Sequence, residues 1–271
     1  MVGTRRCGVL GDPIAHSLSP VLHRAGYAAL GLGWEYDAHR VGEAELPAFL
    51  ASLDDSWRGL SLTMPLKRAV LPLADDLSET AVLAGAANTL VLGDRGMLAD
   101  NTDVPGAAAA LRERYDGPVR SATILGGGAT AASTLLALTD LGCTSFRLLV
   151  RDAGRAAETL AVATRHPSTP SVEVAPLELA PAEGDVLVST VPAAAQTPDL
   201  LARCAGVPVV FDVLYDPWPT PLATAASVSQ QILVGGLDLL VHQAVLQFAA
   251  FTGQEAPLAA MRSAGELALA G

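Results

Sequence analysis

Short apolar runs separated by polar and glycine-containing turns recur along the chain, and their spacing predicts alternating strands and helices. Residues 8–10 read as a short strand. Ser19-Pro20 reads as an N-cap with proline at the first helical position, opening a helix that runs to about Leu30 and stops near Gly31 or Gly33. Residues 34–41 alternate as a strand, 43–53 are helical, 59–63 form a strand, and 70–83 read as broken helix. Residues 89–92 and 97–99 flank Asp94-Arg95-Gly96, which predicts a hairpin. A second unit begins near Val104. A helix to about Tyr115 leads to a strand at 121–125, then Gly126-Gly127-Gly128, then an alanine-rich helix over 129–141. A strand at 145–150 is followed by a helix from Ala153, and 172–175, 186–189 and 209–213 read as further strands. Such alternation predicts a parallel sheet covered on both faces. In the tail, Leu237, Leu240, Val241, Ala244, Val245 and Phe248 fall at helical spacing as one apolar stripe. Gly253 ends that helix and Pro257 opens the last one.

Composition narrows the class. The chain has 271 residues, 51% hydrophobic but only 4% aromatic, so its core is Ala, Val and Leu. No apolar run reaches the roughly 18–20 residues of a membrane span. Met1-Val2-Gly3-Thr4-Arg5-Arg6-Cys7 leads straight into a strand without an apolar leader region, so no signal peptide and a cytoplasmic location are expected. Lys and Arg number 17 against 28 Asp and Glu, and the net charge of −11 argues against nonspecific nucleic-acid binding. Cys7, Cys143 and Cys204 fit neither a zinc spacing nor a disulfide framework. They read as buried small apolar residues in a reducing compartment. No metal is expected, because no His/Cys/carboxylate cluster stands out.

The candidate chemistry centres on Ser61-Leu62-Thr63-Met64-Pro65-Leu66-Lys67. It puts a lysine just past a short apolar strand, where an ammonium can reach into a cleft. Asn88-Thr89 and Asn101-Thr102-Asp103 supply polar partners, as for a site that binds a polyhydroxylated acid and moves a proton. Ser17 and Ser19 lie two residues apart; Ser19 reads as an N-cap, whereas Ser17 has no evident structural role. Gly126-x-Gly128-x-x-Ala131 follows a strand and opens a helix. Its glycines permit a tight turn and close approach of backbone N–H groups to a pyrophosphate. At the end of the next strand, Arg151 and Arg155 favour the 2′-phosphate of NADP, while Asp152 could pair with an arginine or accept from a ribose hydroxyl of NAD.

Taken in order, these segments resemble the shikimate dehydrogenases. The resemblance runs through Gly11-Asp12-Pro13-Ile14-Ala15-His16-Ser17-Leu18-Ser19-Pro20, the Ser61–Lys67 segment, Ala87-Asn88-Thr89 and Asp100-Asn101-Thr102-Asp103. It ends with Asp212-Val213-Leu214-Tyr215-Asp216-Pro217 and Gly236-Leu237-Asp238-Leu239-Leu240-Val241-His242-Gln243. It implies that Ser17, Ser19 and Tyr215 hold a substrate carboxylate. Thr63, Asn88, Asp103 and Gln243 would read ring hydroxyls, and Lys67 with Asp103 would form the catalytic pair. Gly126, Gly127, Gly128, Ala129, Thr130, Ala131, Arg151, Arg155, Thr190, Val213, Gly236 and Leu239 would line the cofactor. The implied reaction is the reversible reduction of 3-dehydroshikimate to shikimate by NADPH, in chorismate and aromatic amino-acid biosynthesis.

The implied fold is a two-domain α/β chain. An N-terminal substrate domain over 1–103 is completed by the C-terminal helices of 237–271, and a Rossmann-like NADP domain spans 104–236, with the site in the cleft between them. A monomer or homodimer is expected. The chain departs from the family pattern at Leu239, commonly Met, in its Gly-Gly-Gly-Ala loop, at Val150-Arg151-Asp152, usually Asn-Arg-Thr, and over 192–196, to which no role is assigned. The alternatives are a quinate or aminoshikimate dehydrogenase using NAD, and a non-catalytic paralogue that binds nucleotide or shikimate. Ser rather than Thr at 19 leans away from quinate. Lys67 and Asp103 together lean away from a mere binder.

Overall fold

The structure is a computed structural model that describes residues 4–270, apart from the side chain of Arg155. Met1, Val2 and Gly3, part of the expected leaderless start, lie outside the described residues. Along the chain run β1 (Arg6–Gly11), α1 (Ser19–Ala29), β2 (Glu35–Arg40), α2 (Leu46–Ala51), β3 (Trp57–Leu62), α3 (Leu66–Ala69), β4 (Asp76–Leu77), α4 (Glu79–Ala84), β5 (Thr89–Gly93) and β6 (Gly96–Asp100). There follow α5 (Asp103–Arg114), β7 (Ser121–Leu125), α6 (Ala129–Asp140), β8 (Ser145–Val150), α7 (Ala157–Arg165), β9 (Ser171–Pro176), β10 (Val186–Ser189) and α8 (Pro198–Cys204). The last elements are β11 (Val209–Asp212), α9 (Pro221–Val228), β12 (Ile232–Val234), α10 (Gly236–Thr252) and α11 (Leu258–Ala270). The chain divides into two compact units, residues 1–102 with 240–271, and residues 103–239. The divide falls at the first residue of α5 and again inside α10, so Asp103 and the first turn of α10 belong to the second unit.

The first unit is built on a six-stranded mixed sheet, ordered β2-β1-β3-β5-β6-β4. β1 pairs in parallel with β2 and β3, whereas β3–β5 and β5–β6 are antiparallel. Leu10, Leu60, Leu62, Leu66, Val70 and Leu90 form its buried core. The hairpin expected at Asp94-Arg95-Gly96 closes on the Gly93–Gly96 pair, with Gly96 at φ 98°. The C-terminal helix α11 packs on α1, so the tail returns to this unit.

Three expectations in this unit need correction. The stretch 70–83 is not broken helix: a 3-10 turn at Leu71–Leu73 precedes the two-residue strand β4, which pairs with β6, and α4 starts after its cap Ser78. The helix expected over 43–53 is trimmed to α2, with Pro47 in its first turn. Ser19 is not the N-cap of α1. It is already helical, Leu18 precedes it, and the Ser17 hydroxyl accepts the Ser19 N–H at 3.4 Å.

The second unit has a fully parallel sheet ordered β12-β11-β10-β7-β8-β9. Renumbered within the unit, that is the doubly wound 3-2-1-4-5-6 order of dinucleotide-binding folds, read from the opposite edge. β10 and β11 are buried at every position, as expected of strands covered on both faces. Leu125, Leu149, Leu187, Leu200, Val210 and Leu222 share one core. α8, α9 and the three-residue β12 were not predicted. α8 and α9 begin at Pro198 and Pro221, behind the capping hydroxyls of Thr197 and Thr220. Among the described residues no helix is long and apolar enough to cross a membrane.

Candidate active site

In the first unit, the ends of β1 and β3 and the start of β5 bring three predicted residues together. Thr63 N donates to Leu10 O at 2.9 Å, Leu62 N to Asn88 O at 2.7 Å, and Ala87 N to Lys67 O at 2.7 Å. Lys67 sits in the single turn of α3, half-buried, rather than on the strand end itself. A Cβ at Gly11 would run into the Thr63 side chain and lie 2.9 Å from Met64 O. Glycine therefore lets the Asp12–Ser17 loop pass tightly beside the segment that carries Lys67.

Asn88 is buried and its amide is oriented by its neighbours. Its Oδ1 accepts from Thr89 Oγ1 and from Thr102 N, each at 2.8 Å. Its Nδ2 donates to Thr102 Oγ1 at 2.9 Å and to Gln243 Oε1 at 3.2 Å. Gln243 Nε2 donates to Leu240 O at 2.8 Å. Gln243 is buried. Val241, Ala244 and Phe248 of the predicted apolar stripe are buried, but Leu237, Leu240 and Val245 are only partly so, and the amides of Gln243 and Gln247 occupy the buried face.

Sequence reasoning missed the polar residues behind this cluster. Tyr36 Oη donates to Ser61 Oγ at 2.6 Å, Ser61 Oγ donates to Gln247 Oε1 at 2.6 Å, and Gln247 Nε2 donates to Asn88 O and Thr89 Oγ1 at 3.0 Å each. The one available signal was that Gln247 follows Gln243 by one turn of α10. His23 stacks on Tyr36, ring centroids 4.2 Å apart and planes within 11°. Among the described residues its ring nitrogens make no hydrogen bond of good geometry, and burial, against a weaker opposing pull from Gln247, pushes its pKa down to about 3, so it is a neutral packing residue. Ser19 is buried and Ser17 half-buried.

In the second unit, the predicted cofactor residues gather at the C-terminal edge of the parallel sheet, where doubly wound folds bind ligands. Gly126 follows β7 at φ 102°, and a Cβ there would run into the Thr190 hydroxyl. That hydroxyl donates to Leu125 O at 2.8 Å, and Val213 N donates to Ser189 O at 3.1 Å. Gly128 caps α6 without any side-chain hydrogen bond, and the space where its Cβ would stand is open. Gly128 thus gives the first-turn N–H groups of α6 no side-chain cap and leaves an uncrowded turn before them, which fits the pyrophosphate of a dinucleotide. Ala131 is fully buried and packs α6 inward.

Arg151 is exposed at the end of β8. Asp152 accepts from Gly154 N at 2.8 Å as the cap of a 3-10 turn, so its carboxylate is engaged locally. The Arg155 side chain lies outside the described residues. Gly236 opens α10 where a Cβ would collide with the Leu214 carbonyl, and Leu239 is buried. Asp103 is buried as the first residue of α5, and Tyr215 is half-buried beyond β11.

A buried carboxylate holds that last segment. Asp212 accepts from Thr220 Oγ1 at 2.6 Å, Gln196 Nε2 at 2.9 Å and Leu214 N at 3.3 Å. Burial raises its pKa against the opposing pull of these donors. Gln196 lies in the 192–196 stretch that sequence left without a role, and its Oε1 also accepts from Leu222 N at 2.9 Å.

Comparison with known proteins places the chain. A family profile described as the shikimate dehydrogenase substrate binding domain matches residues 9–90, and one described as the shikimate 5'-dehydrogenase C-terminal domain matches residues 236–264. A shikimate dehydrogenase (NADP(+)) of Synechocystis sp. is 32% identical, over 96% of this chain and 94% of its own. The chain belongs to the shikimate dehydrogenase family. The crystal structure of Mycobacterium tuberculosis shikimate dehydrogenase superposes with a TM-score of 0.86 at 40% identity, covering 97% of this chain and 99% of its own. Another relative widens the range of chemistry on this fold: quinate dehydrogenase from Corynebacterium glutamicum, in complex with NAD, has a TM-score of 0.87 at 28% identity, covering 98% and 99%.

Proposed function

We propose that this protein is an NADP-dependent shikimate dehydrogenase that reversibly reduces 3-dehydroshikimate to shikimate in aromatic amino-acid biosynthesis. The observation that carries the reading is the bonded cluster in the first unit: Thr63, Lys67 and Asn88 on adjoining chain ends, with Gln243 on Asn88. We assign the substrate to that unit and the dinucleotide to the glycine loop of the second. Bound NADPH supplies the hydride. The chain's own part is to manage charge and a proton at the ketone oxygen, which gains negative charge as it becomes an alcohol. An ammonium on Lys67 stabilises that oxygen and donates the proton, and Asp103 is its acid/base partner. The roles of Asp103 and Tyr215, residues of the second unit, rest on the motif match, as does carboxylate binding by Ser17, Ser19 and Tyr215. Thr63, Asn88 and Gln243 offer the hydroxyl- and amide-type groups that read ring hydroxyls. A cytoplasmic enzyme, monomer or homodimer, suits cysteines that are free and buried, with burial raising Cys7 and Cys143 to about 12.

Arg151 favours NADP over NAD, supported by its exposure and by the local engagement of Asp152. Assay of shikimate and quinate against NADP and NAD in all four combinations tests the reading. The expected best pair is shikimate with NADP; turnover of quinate with NAD alone would refute it. Arg151→Ala should raise the KM for NADP about tenfold and leave that for NAD nearly unchanged, the loss of one charge-assisted contact.

A further inference from the structure

We infer that Gln247 is a positioning residue: it holds the Asn88 main-chain carbonyl and, through the Thr89 hydroxyl, orients the Asn88 amide from behind, and it is itself held through Ser61 by Tyr36. The inference rests on the reading of Asn88 and Gln243 as substrate contacts. Gln247 is 1% exposed, and every polar site of its side chain used by the cluster has a matched partner. Its amide has one workable orientation. Turned over, its oxygen would face Asn88 O, acceptor against acceptor.

The consequence propagates in both directions. Because Thr89 Oγ1 accepts from Gln247 Nε2, its own proton is free to go to Asn88 Oδ1. That oxygen also takes the Thr102 N–H, so Asn88 Nδ2 is turned toward Thr102 Oγ1 and Gln243 Oε1. On the other side, Ser61 gives its proton to Gln247 and so accepts from the Tyr36 phenol. The donors run one way, Tyr36 to Ser61 to Gln247 to Thr89 to Asn88, and buried chains of this kind reinforce one another. Gln247 is assigned no substrate contact and acts through Asn88.

Gln247→Leu keeps the side-chain volume and removes these bonds. The expected result is a KM for shikimate raised about tenfold, the loss left by unsatisfied buried partners, with the KM for NADP unchanged. Loss confined to Tm or to the active fraction, with the shikimate KM unmoved, would overturn the inference. In an Asn88→Ala background, Gln247→Leu should add little further rise, because the two act as one unit. A full multiplicative rise would also overturn it. Should Gln247→Leu fail to fold, Ser61→Ala cuts the same chain more gently and should raise the shikimate KM about threefold; no change refutes the positioning role. Wild-type protein that turned over no shikimate at all would refute the functional reading beneath it, an outcome visible before any variant is made.

Discussion

In the first unit the polar groups of the site are side chains held by other side chains. Asn88 is gripped by Thr89, Thr102, Gln243 and, through its carbonyl, Gln247, residues drawn from β5, the end of β6 and α10. In the second unit the glycine loop that we assign to the dinucleotide is shaped by what is missing. Gly126 takes φ 102° beside Thr190, and Gly128 leaves open space at the head of α6. A site made of side chains is damaged by removing atoms, because buried partners are left unsatisfied. A site made of bare backbone is damaged by adding them. The two units should therefore fail in opposite ways, and mutation can test whether they do.

The largest effect is expected from removal in the first unit. Lys67→Ala should cut turnover by about 10²–10⁴-fold, the range for losing a positioned acid/base group. NADP binding, followed by fluorescence titration, should stay near wild type. Unchanged turnover would take Lys67 out of the mechanism, and a parallel loss of NADP binding would break the division of labour between the units. The next effect comes from addition in the second unit. Gly126→Ala places a methyl against Thr190 Oγ1 on a backbone that L-residues rarely adopt, costing of order 1–3 kcal/mol of stability. NADP affinity should fall while shikimate binding measured without cofactor holds. If Gly126→Ala bound NADP normally at wild-type Tm, the loop would not be the shape-critical element its geometry implies.

The same contrast explains what could be read from the chain. Strands β7, β8 and β10 were legible because each is a local apolar run between turn residues, and local pattern is all that burial on both faces requires. The glycine loop was legible for the same reason: its conformational demand lies in the residues themselves. The buried face of α10 was not. Helical spacing put Leu237, Leu240 and Val245 in the apolar stripe, yet Gln243 and Gln247 are more buried, because their partners Asn88 and Ser61 lie more than 150 residues away. β4 escaped notice because two residues hold no pattern and its pairing with β6 defines it. The cap expected at Ser19 falls one residue earlier, at Leu18, because the helix already includes Ser19; helix ends commonly shift by that much. Lys67, Asn88 and Asp103 are assigned from ordered motifs; Gln247 and Ser61, which lie behind Asn88, are in the Asn88 cluster by contact, and contact across the chain leaves no local pattern.

Asp212 is where the second unit departs from its own rule and uses a buried side chain as the first unit does. Its carboxylate accepts from Thr220, Gln196 and Leu214 N, but burial outweighs them and its folded-state pKa is raised. A carboxyl whose folded pKa lies above its unfolded value binds its proton more tightly when folded. Its contribution to stability is then fully present below the unfolded value of about 4 and is lost as pH rises through the folded value. Asp212→Asn cannot titrate and lacks this dependence. The difference in Tm, variant minus wild type, should therefore climb as pH rises from the acid side and then level off. Other carboxyls titrate in both proteins and cancel in the difference. A flat difference would mean that the Thr220 and Gln196 bonds fully compensate burial. A falling one would mean that they overcompensate, and that Asp212 is held as firmly by its partners as Asn88 is by its own.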